Sequence, residues 1–199
     1  GTSYATASVG KWHLADLTNG GLEHPNTVGF DYFSGILFGS PGSYFAWRHL
    51  RNGKLSAERG YLDTRAVEDA LDWIDGQDKP WFVTINFSNP HTPVHKPPTD
   101  LLHSKLRFID PNPTGDDNQP YFLAQIEAMD TLIGRVLNSL SEEDRRNTYI
   151  IFLGDNGSDS VANPPAPRVA SRLKATLYEG GINVPVIVAG PGVSAGKVV

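Results

Sequence analysis

The alternation of short apolar runs with longer amphipathic segments constrains the fold of this chain more than any other feature. The apolar runs have the length and composition of buried strands and lie at residues 4–9, 81–87, 148–153 and 184–189. The amphipathic segments carry apolar residues every three or four positions, which predicts helices over residues 63–75 and 120–140. Strands that alternate with helices predict an α/β fold, with a mainly parallel sheet covered by helices on both faces.

Polar side chains follow three of the predicted strands. Lys11 and His13 follow the first strand, and side chains two residues apart on extended backbone point to the same side. His91 follows the strand at 81–87, and Asp155 and Asn156 follow the strand at 148–153. Because ligands bind at the carboxyl ends of strands in open α/β sheets, we expect these residues to share one edge of one sheet.

The types of these residues suit the binding of an oxyanion ester. Lysine and protonated histidine neutralise the oxygens of a sulfuryl or phosphoryl group, and a histidine can protonate a leaving alcohol. Asp155 and Asn156 offer hard oxygen ligands that fit Ca²⁺ or Mg²⁺. Since Ca²⁺ takes six to eight oxygens, these two residues are an incomplete ligand set.

Composition excludes several classes of function. The net charge of −5 at pH 7 gives no electrostatic reason to bind nucleic acid or an anionic membrane surface. The sequence contains no cysteine, which excludes disulfides, thiolate metal sites and a cysteine nucleophile within these 199 residues. No apolar run is long enough to cross a bilayer.

Two long stretches, residues 18–60 and 91–119, are rich in Gly, Pro, Asn and Asp and are predicted to be irregular. His95 and Lys96, in the second stretch, are candidates for lining the mouth of a substrate site. The sequence begins almost at the first strand and stops shortly after the last one. We therefore interpret it as a piece of a larger protein.

Five segments, in order along the chain, together resemble the sulfatase family of the alkaline-phosphatase-like superfamily. They are GKWHL at 10–14, GFDYFSG at 29–35, PHTP at 90–93, DNG at 155–157 and KATLYEGG at 174–181. The resemblance covers nearly the whole chain. It implies a three-layer α/β/α sandwich, truncated here, with residues 1–199 forming part of a sulfatase catalytic domain.

The resemblance also implies roles for individual residues. Lys11 and Lys174 would bind sulfate oxygens, and His13 would orient or deprotonate the nucleophile. His91 would bind sulfate near the leaving oxygen and is the candidate general acid.

The resemblance further implies a divalent cation and a modified nucleophile. Asp155 and Asn156 would hold Ca²⁺, or Mg²⁺, in the full-length parent. The family's formylglycine comes from a C/S-x-P-x-R segment that this sequence lacks, and residues 40–43, SPGS, have no arginine at the required place. We therefore expect this chain to be inactive by itself. We also expect its missing parts to leave unpaired sheet edges, and the chain either to associate with itself through these edges or to rearrange them.

Two alternative functions stay open at the level of the sequence. One keeps the superfamily and changes the substrate to a phosphate or phosphonate ester, and the other is a non-catalytic module that binds an anionic ligand. The leading hypothesis is a hydrolase of carbohydrate or aryl sulfate esters. The resemblance suggests a periplasmic or secreted location for the parent, and the chain's own residues specify none.

Overall fold

The structure, a computed structural model, describes residues 4–113, 118–160 and 170–198. The chain divides into two compact units, one of residues 1–113 with 121–136 and one of residues 114–120 with 137–199. The strands are β1 (Ala5–Lys11), β2 (Tyr32–Ile36), β3 (Ala46–Arg51), β4 (Lys54–Arg59), β5 (Trp81–Asn86), β6 (Ile150–Leu153) and β7 (Val186–Ala189). The α-helices are α1 (His24–Thr27), α2 (Leu62–Asp75), α3 (Gln119–Ser139), α4 (Glu142–Asn147) and α5 (Glu179–Ile182).

The first unit contains a five-stranded sheet in the order β4-β3-β2-β1-β5. Its centre is parallel, because β1 pairs in parallel with both β2 and β5. An antiparallel hairpin of β3 and β4 extends the sheet beyond β2. The registers Lys11↔Ile36 and Gly10↔Asn86 bring the carboxyl ends of the three parallel strands to one edge, which positions the segments that follow them.

Both faces of this sheet are covered by apolar side chains. On β2, Ile36 belongs to a cluster with residues of α2 and α3, whereas Phe33 belongs to a second cluster with Trp12 and Leu22. Ile36 and Phe33 are three residues apart on a strand and therefore face opposite sides of the sheet. The sheet thus forms the middle of three layers, as the pattern of strands and helices predicts.

A buried polar network also lies between the sheet and α2. The Ser34 hydroxyl on β2 donates to Asp69 on α2 and lies 2.6 Å from Nε2 of His49 on β3. Arg51 and Arg65 donate to the other oxygen of Asp69, at 2.7 and 2.9 Å. Ser34, His49 and Asp69 are all buried, so this Ser–His–Asp group is a structural tie between layers.

The prediction that residues 18–60 are irregular was wrong, because this stretch contains α1 and the strands β2, β3 and β4. Ser34 and Gly35 interrupt the apolar pattern of β2 and hide it from a search for apolar runs. Both residues have a reason to be there. Ser34 joins the buried network, and a Cβ on Gly35 would collide with the backbone of Gly10.

In the second unit, β6 pairs only with β7 among the described residues, and the pairing is antiparallel. The expectation that the strand at 148–153 belongs to the same sheet as β1 and β5 was therefore wrong. Ile151, Leu153 and Ile187 are each more than three-fifths exposed on this two-stranded sheet. None of the described helices has both the length and the apolar character that a bilayer crossing requires.

Candidate functional site

Lys11 and His13 lie where β1 ends. Lys11 is the last residue of the strand and is half-buried, and His13 is exposed. The backbone stays bonded to the segment after β2, since the N–H groups of Trp12 and His13 donate to Ile36 and Leu37, both at 2.9 Å. His13 has a φ of +56°, in the left-handed region. The alternation argument that paired Lys11 with His13 therefore does not apply, because it holds only for extended backbone.

Two neighbours define the place of His13. Its imidazole lies directly over Gly39, where a Cβ would collide with the ring. The adjacent Trp12 is buried against Phe33 and donates from Nε1 to His24 Nδ1 at 3.2 Å. The space for the His13 ring thus depends on the absence of a side chain at Gly39.

His91 lies in the turn that follows β5, and a buried carboxylate holds the start of this turn. The N–H groups of Ser88 and Asn89 donate to the two oxygens of Asp63, at 2.8 and 2.9 Å. Asp63 belongs to the first turn of α2 and is fully buried, and this burial raises its pKa to about 6. The position of the turn is therefore tied to the amino end of α2.

The backbone carbonyl of His91 is held by two buried side chains. The Tyr44 hydroxyl lies 3.1 Å from this carbonyl and 2.7 Å from that of Ser88, and Gln125 Nε2 donates to it at 3.0 Å. The His91 ring is half-buried, with Nδ1 3.0 Å from the Thr92 carbonyl. These contacts fix the position of the His91 main chain, and the position of its imidazole ring therefore varies only through rotation of the side chain.

His95 and Lys96 serve the structure of this turn. The Tyr61 hydroxyl lies 3.0 Å from His95 Nε2, and the Pro93 carbonyl oxygen lies 2.9 Å from His95 Nδ1. Because a carbonyl only accepts hydrogen bonds, this arrangement suits a neutral ring with its proton on Nδ1. Partial burial lowers the pKa of His95. Lys96 donates to the Ile109 carbonyl at 2.8 Å. Their interactions stabilise the loop, and nothing in them supports the expectation that these residues line a substrate mouth.

In the second unit, backbone hydrogen bonds join the segments that carry Asp155, Asn156 and Lys174. The Lys174 N–H donates to Ser158 at 3.0 Å, and the Gly157 N–H donates to Gly181 at 2.8 Å. The Lys174 side chain is half-buried and Asp155 is exposed.

The close approach of these two segments explains a glycine of the DNG motif. A Cβ on Gly157 would collide with the carbonyl of Gly180, so the backbones meet only if residue 157 has no side chain.

Among the described residues, Asp155 and Asn156 do not by themselves make a calcium site. No group of three or more His, Cys, Asp or Glu side chains that could hold a metal ion occurs in the described parts of the chain. Asn156 already donates from Nδ2 to the Gly157 carbonyl, at 3.0 Å, which leaves its Oδ1 as a possible ligand. Asp155 and Asn156 fall short of the six to eight oxygens that Ca²⁺ takes.

The structure therefore presents the predicted site residues in two groups. Lys11, His13 and His91 follow adjacent parallel strands of the first unit. Lys174 and the pair Asp155 and Asn156 are on bonded segments of the second unit.

Several supporting residues were not found from the sequence. Asp63, Tyr44 and Gln125 hold the His91 turn, yet each lies 25 or more residues from the groups it bonds. The PHTP motif was the only local signal that this turn needs a defined shape.

Comparison with known proteins gives a family match along nearly the whole chain. The family model described as Sulfatase matches residues 2–198. A curated relative, the uncharacterized sulfatase YdeN of Escherichia coli (strain K12), is 25% identical over 92% of this chain and 36% of its own length. The chain thus spans little more than a third of that relative.

Solved structures share the fold. The crystal structure of Ps i-CgsB matches with a TM-score of 0.74 and 24% identity, over 95% of this chain and 45% of the other. The structure of BT4656 in complex with its substrate D-glucosamine-2-N,6-O-disulfate matches with a TM-score of 0.65 and 19% identity, over 95% of this chain and 53% of the other. These likenesses confirm the predicted fold class, a truncated α/β sandwich of the alkaline-phosphatase-like type.

Proposed function

Because this chain belongs to the sulfatase family, we propose that residues 1–199 form the central part of a sulfatase catalytic domain, a hydrolase of sulfuric esters. The chain spans about a third to a half of the proteins it matches, so the proposal concerns the contribution of this part to the whole enzyme. That contribution is to bind the sulfate group and to protonate the leaving alcohol.

One observation carries the proposal for the first unit. The strands β1 and β5 are parallel and paired, with Gly10 opposite Asn86, so Lys11 and the His91 turn follow strand ends at the same edge of the sheet. A lysine ammonium and imidazole N–H groups at such an edge donate hydrogen bonds to sulfate oxygens. Lys11 would neutralise sulfate charge, and His13 would orient the nucleophile.

His91 is the proposed general acid. A protonated imidazole at the leaving oxygen transfers its proton as the S–O bond breaks, so that the product departs as a neutral alcohol. The buried contacts to the His91 carbonyl suit this role, because general acid catalysis needs a donor at a defined position.

In the second unit, Lys174 would bind sulfate oxygens, as the family resemblance implies, and Asp155 and Asn156 would be two of the ligands of a divalent cation. The support is the bonding of the two segments that carry these residues. The described residues do not form a complete metal site. The proposal for the cation is therefore limited to its binding by these two side chains.

The nucleophile of the family is a formylglycine, which would supply the oxygen that attacks the sulfate ester. The sequence of this chain contains no cysteine and no S-x-P-x-R segment from which it could be made. We propose a carbohydrate or aryl sulfate as the substrate. The bound amino-sugar disulfate of BT4656 supports the carbohydrate class.

Binding of inorganic sulfate to the 199-residue chain tests this proposal. Sulfate is titrated at constant ionic strength, and binding is followed by the NMR signals of the six histidine rings. We expect Lys11→Ala to weaken binding about tenfold, as the loss of one charge-assisted hydrogen bond does. The matched control is Lys79→Ala, since Lys79 is exposed and precedes β5 at the opposite end of that strand. Equal effects of the two substitutions would contradict the proposal.

A further inference from the structure

The segment of residues 37–44, which follows β2, contacts both the segment that carries His13 and the turn that carries His91, and we call it the brace. On one side it meets His13. The Leu37 carbonyl accepts a hydrogen bond from the His13 N–H at 2.9 Å, and the His13 ring rests on Gly39. Both the backbone and the ring of His13 are therefore in contact with the brace.

On the other side the brace meets the His91 turn. Ser40 Oγ donates to the Thr92 carbonyl at 3.0 Å. The Tyr44 hydroxyl lies 2.7 Å from the Ser88 carbonyl and 3.1 Å from that of His91. Ser40 and Tyr44 together thus contact three carbonyls of this turn, those of Ser88, His91 and Thr92.

The strand ladders by themselves do not determine where these histidines lie. β1 ends at Lys11 and β5 ends at Asn86, so the ladders stop two residues before His13 and five before His91. Beyond its ladder a chain takes its position from side-chain and turn contacts. The brace supplies such contacts to both segments at once, from one continuous stretch of eight residues.

We propose that the brace sets the positions of His13 and His91 for sulfate binding, with Gly39 and Tyr44 as its positioning residues. This inference rests on the proposed function, because it concerns the same anion. Neither Gly39 nor Tyr44 needs to touch the ligand. Tyr44 is buried, and it acts through the carbonyls of Ser88 and His91.

Three changes test the brace. Tyr44→Phe removes the hydroxyl and keeps the ring, whose centroid lies 4.1 Å from that of His95. Gly39→Ala places a methyl group under the His13 ring. Ser40→Ala removes the bond to Thr92 at an exposed position, where the fold tolerates the change, and Ser40→Thr retains the hydroxyl.

The matched control is Tyr121→Phe. Tyr121 is also buried in the first unit, and its hydroxyl donates to the Asn112 carbonyl at 3.4 Å, outside the segments that carry His13 and His91. Each variant is titrated with inorganic sulfate at pH 7 under conditions where urea unfolding shows it to be folded. The NMR signals of the histidine rings are recorded before and after the addition of sulfate.

We expect Tyr44→Phe to move the His91 ring signals and to weaken sulfate binding about threefold to tenfold, the range for loss of one hydrogen bond. Gly39→Ala should move the His13 ring signals and weaken binding by a similar factor. Ser40→Thr should bind sulfate as the wild type does, whereas Ser40→Ala should bind more weakly. Tyr121→Phe should change neither binding nor these signals.

A purely structural brace would lower stability and leave sulfate affinity unchanged in the folded variants, and that result would overturn the inference. If the wild type binds no sulfate, the proposed function fails independently of the brace. In that case the free proteins decide: moved His91 signals in Tyr44→Phe support the brace, and unmoved signals overturn it.

Discussion

Replacing Asp69 on α2 by asparagine should strongly destabilise the first unit. One carboxylate oxygen accepts hydrogen bonds from Arg51 and Arg65, and the other accepts one from Ser34 and lies 3.4 Å from His49 Nε2. The new asparagine side chain would present an amide NH₂ group to groups that are themselves donors. The change therefore removes a buried charge and one of the two acceptor oxygens that these donors share.

The pKa of Asp69 provides the magnitude. Burial tends to raise this pKa, but hydrogen bonds from His49, Ser34 and Arg65 and the charge of Arg51 outweigh burial and lower it from 3.8 to about 2. A shift of that size stabilises the folded protein by about 2.5 kcal/mol at pH 7. Since the folded pKa is the lower one, this contribution is complete above about pH 5 and is lost as the pH falls towards 2. Arg51 would lose its carboxylate partner and Arg65 would keep only Glu58, so we expect Asp69→Asn to cost about 3 kcal/mol at pH 7.

Urea unfolding of both proteins at pH 7 and at pH 3 measures this effect. The cost of Asp69→Asn should be smaller at pH 3 by about 1 kcal/mol, because the wild type has then lost part of its advantage. Asp72→Asn is the matched control, since Asp72 is exposed on the same helix and should change stability by less than about 0.5 kcal/mol. A cost below about 1 kcal/mol at pH 7, or an equal cost at both pH values, would refute the reasoning.

Three further predictions concern the chain by itself. Incubation with 4-nitrophenyl sulfate should release no nitrophenol above the level of a Lys11→Ala control, because the sequence contains no residue that becomes formylglycine; turnover clearly above that control would contradict this. Calorimetric titration should show Ca²⁺ affinity weaker than micromolar, because Asp155 and Asn156 supply only part of a ligand set; sub-micromolar binding would mean that other residues complete it. Small-angle scattering should show association that increases with concentration, because β6 and β7 form a short sheet with exposed apolar side chains; a compact monomer at high concentration would argue against this.

The sequence by itself determined the elements with a clear apolar pattern and the identity of the family. The apolar runs at 4–9 and 81–87 became β1 and β5, and the amphipathic segment at 63–75 became α2, with boundaries within two residues. These predictions succeed because apolar periodicity indicates which face of an element is buried, and this pattern is contained in the element's own residues. The motifs identified the family because each is a short run of residues that is readable without knowledge of its partners.

Only the tertiary structure decided the pairing of strands and the supports of the histidines. β2 carries a buried serine, which bonds residues of β3 and α2, and a glycine, which allows the close approach of β1. These two residues interrupt its apolar pattern, so its own sequence does not look like a strand. The contact of Tyr44 with the His91 carbonyl joins residues 47 apart, and that of Asp63 with Ser88 joins residues 25 apart. A hydrogen bond between residues far apart in the sequence forms only when the tertiary fold brings them together. The local sequence around either residue does not indicate which distant residue will be its partner.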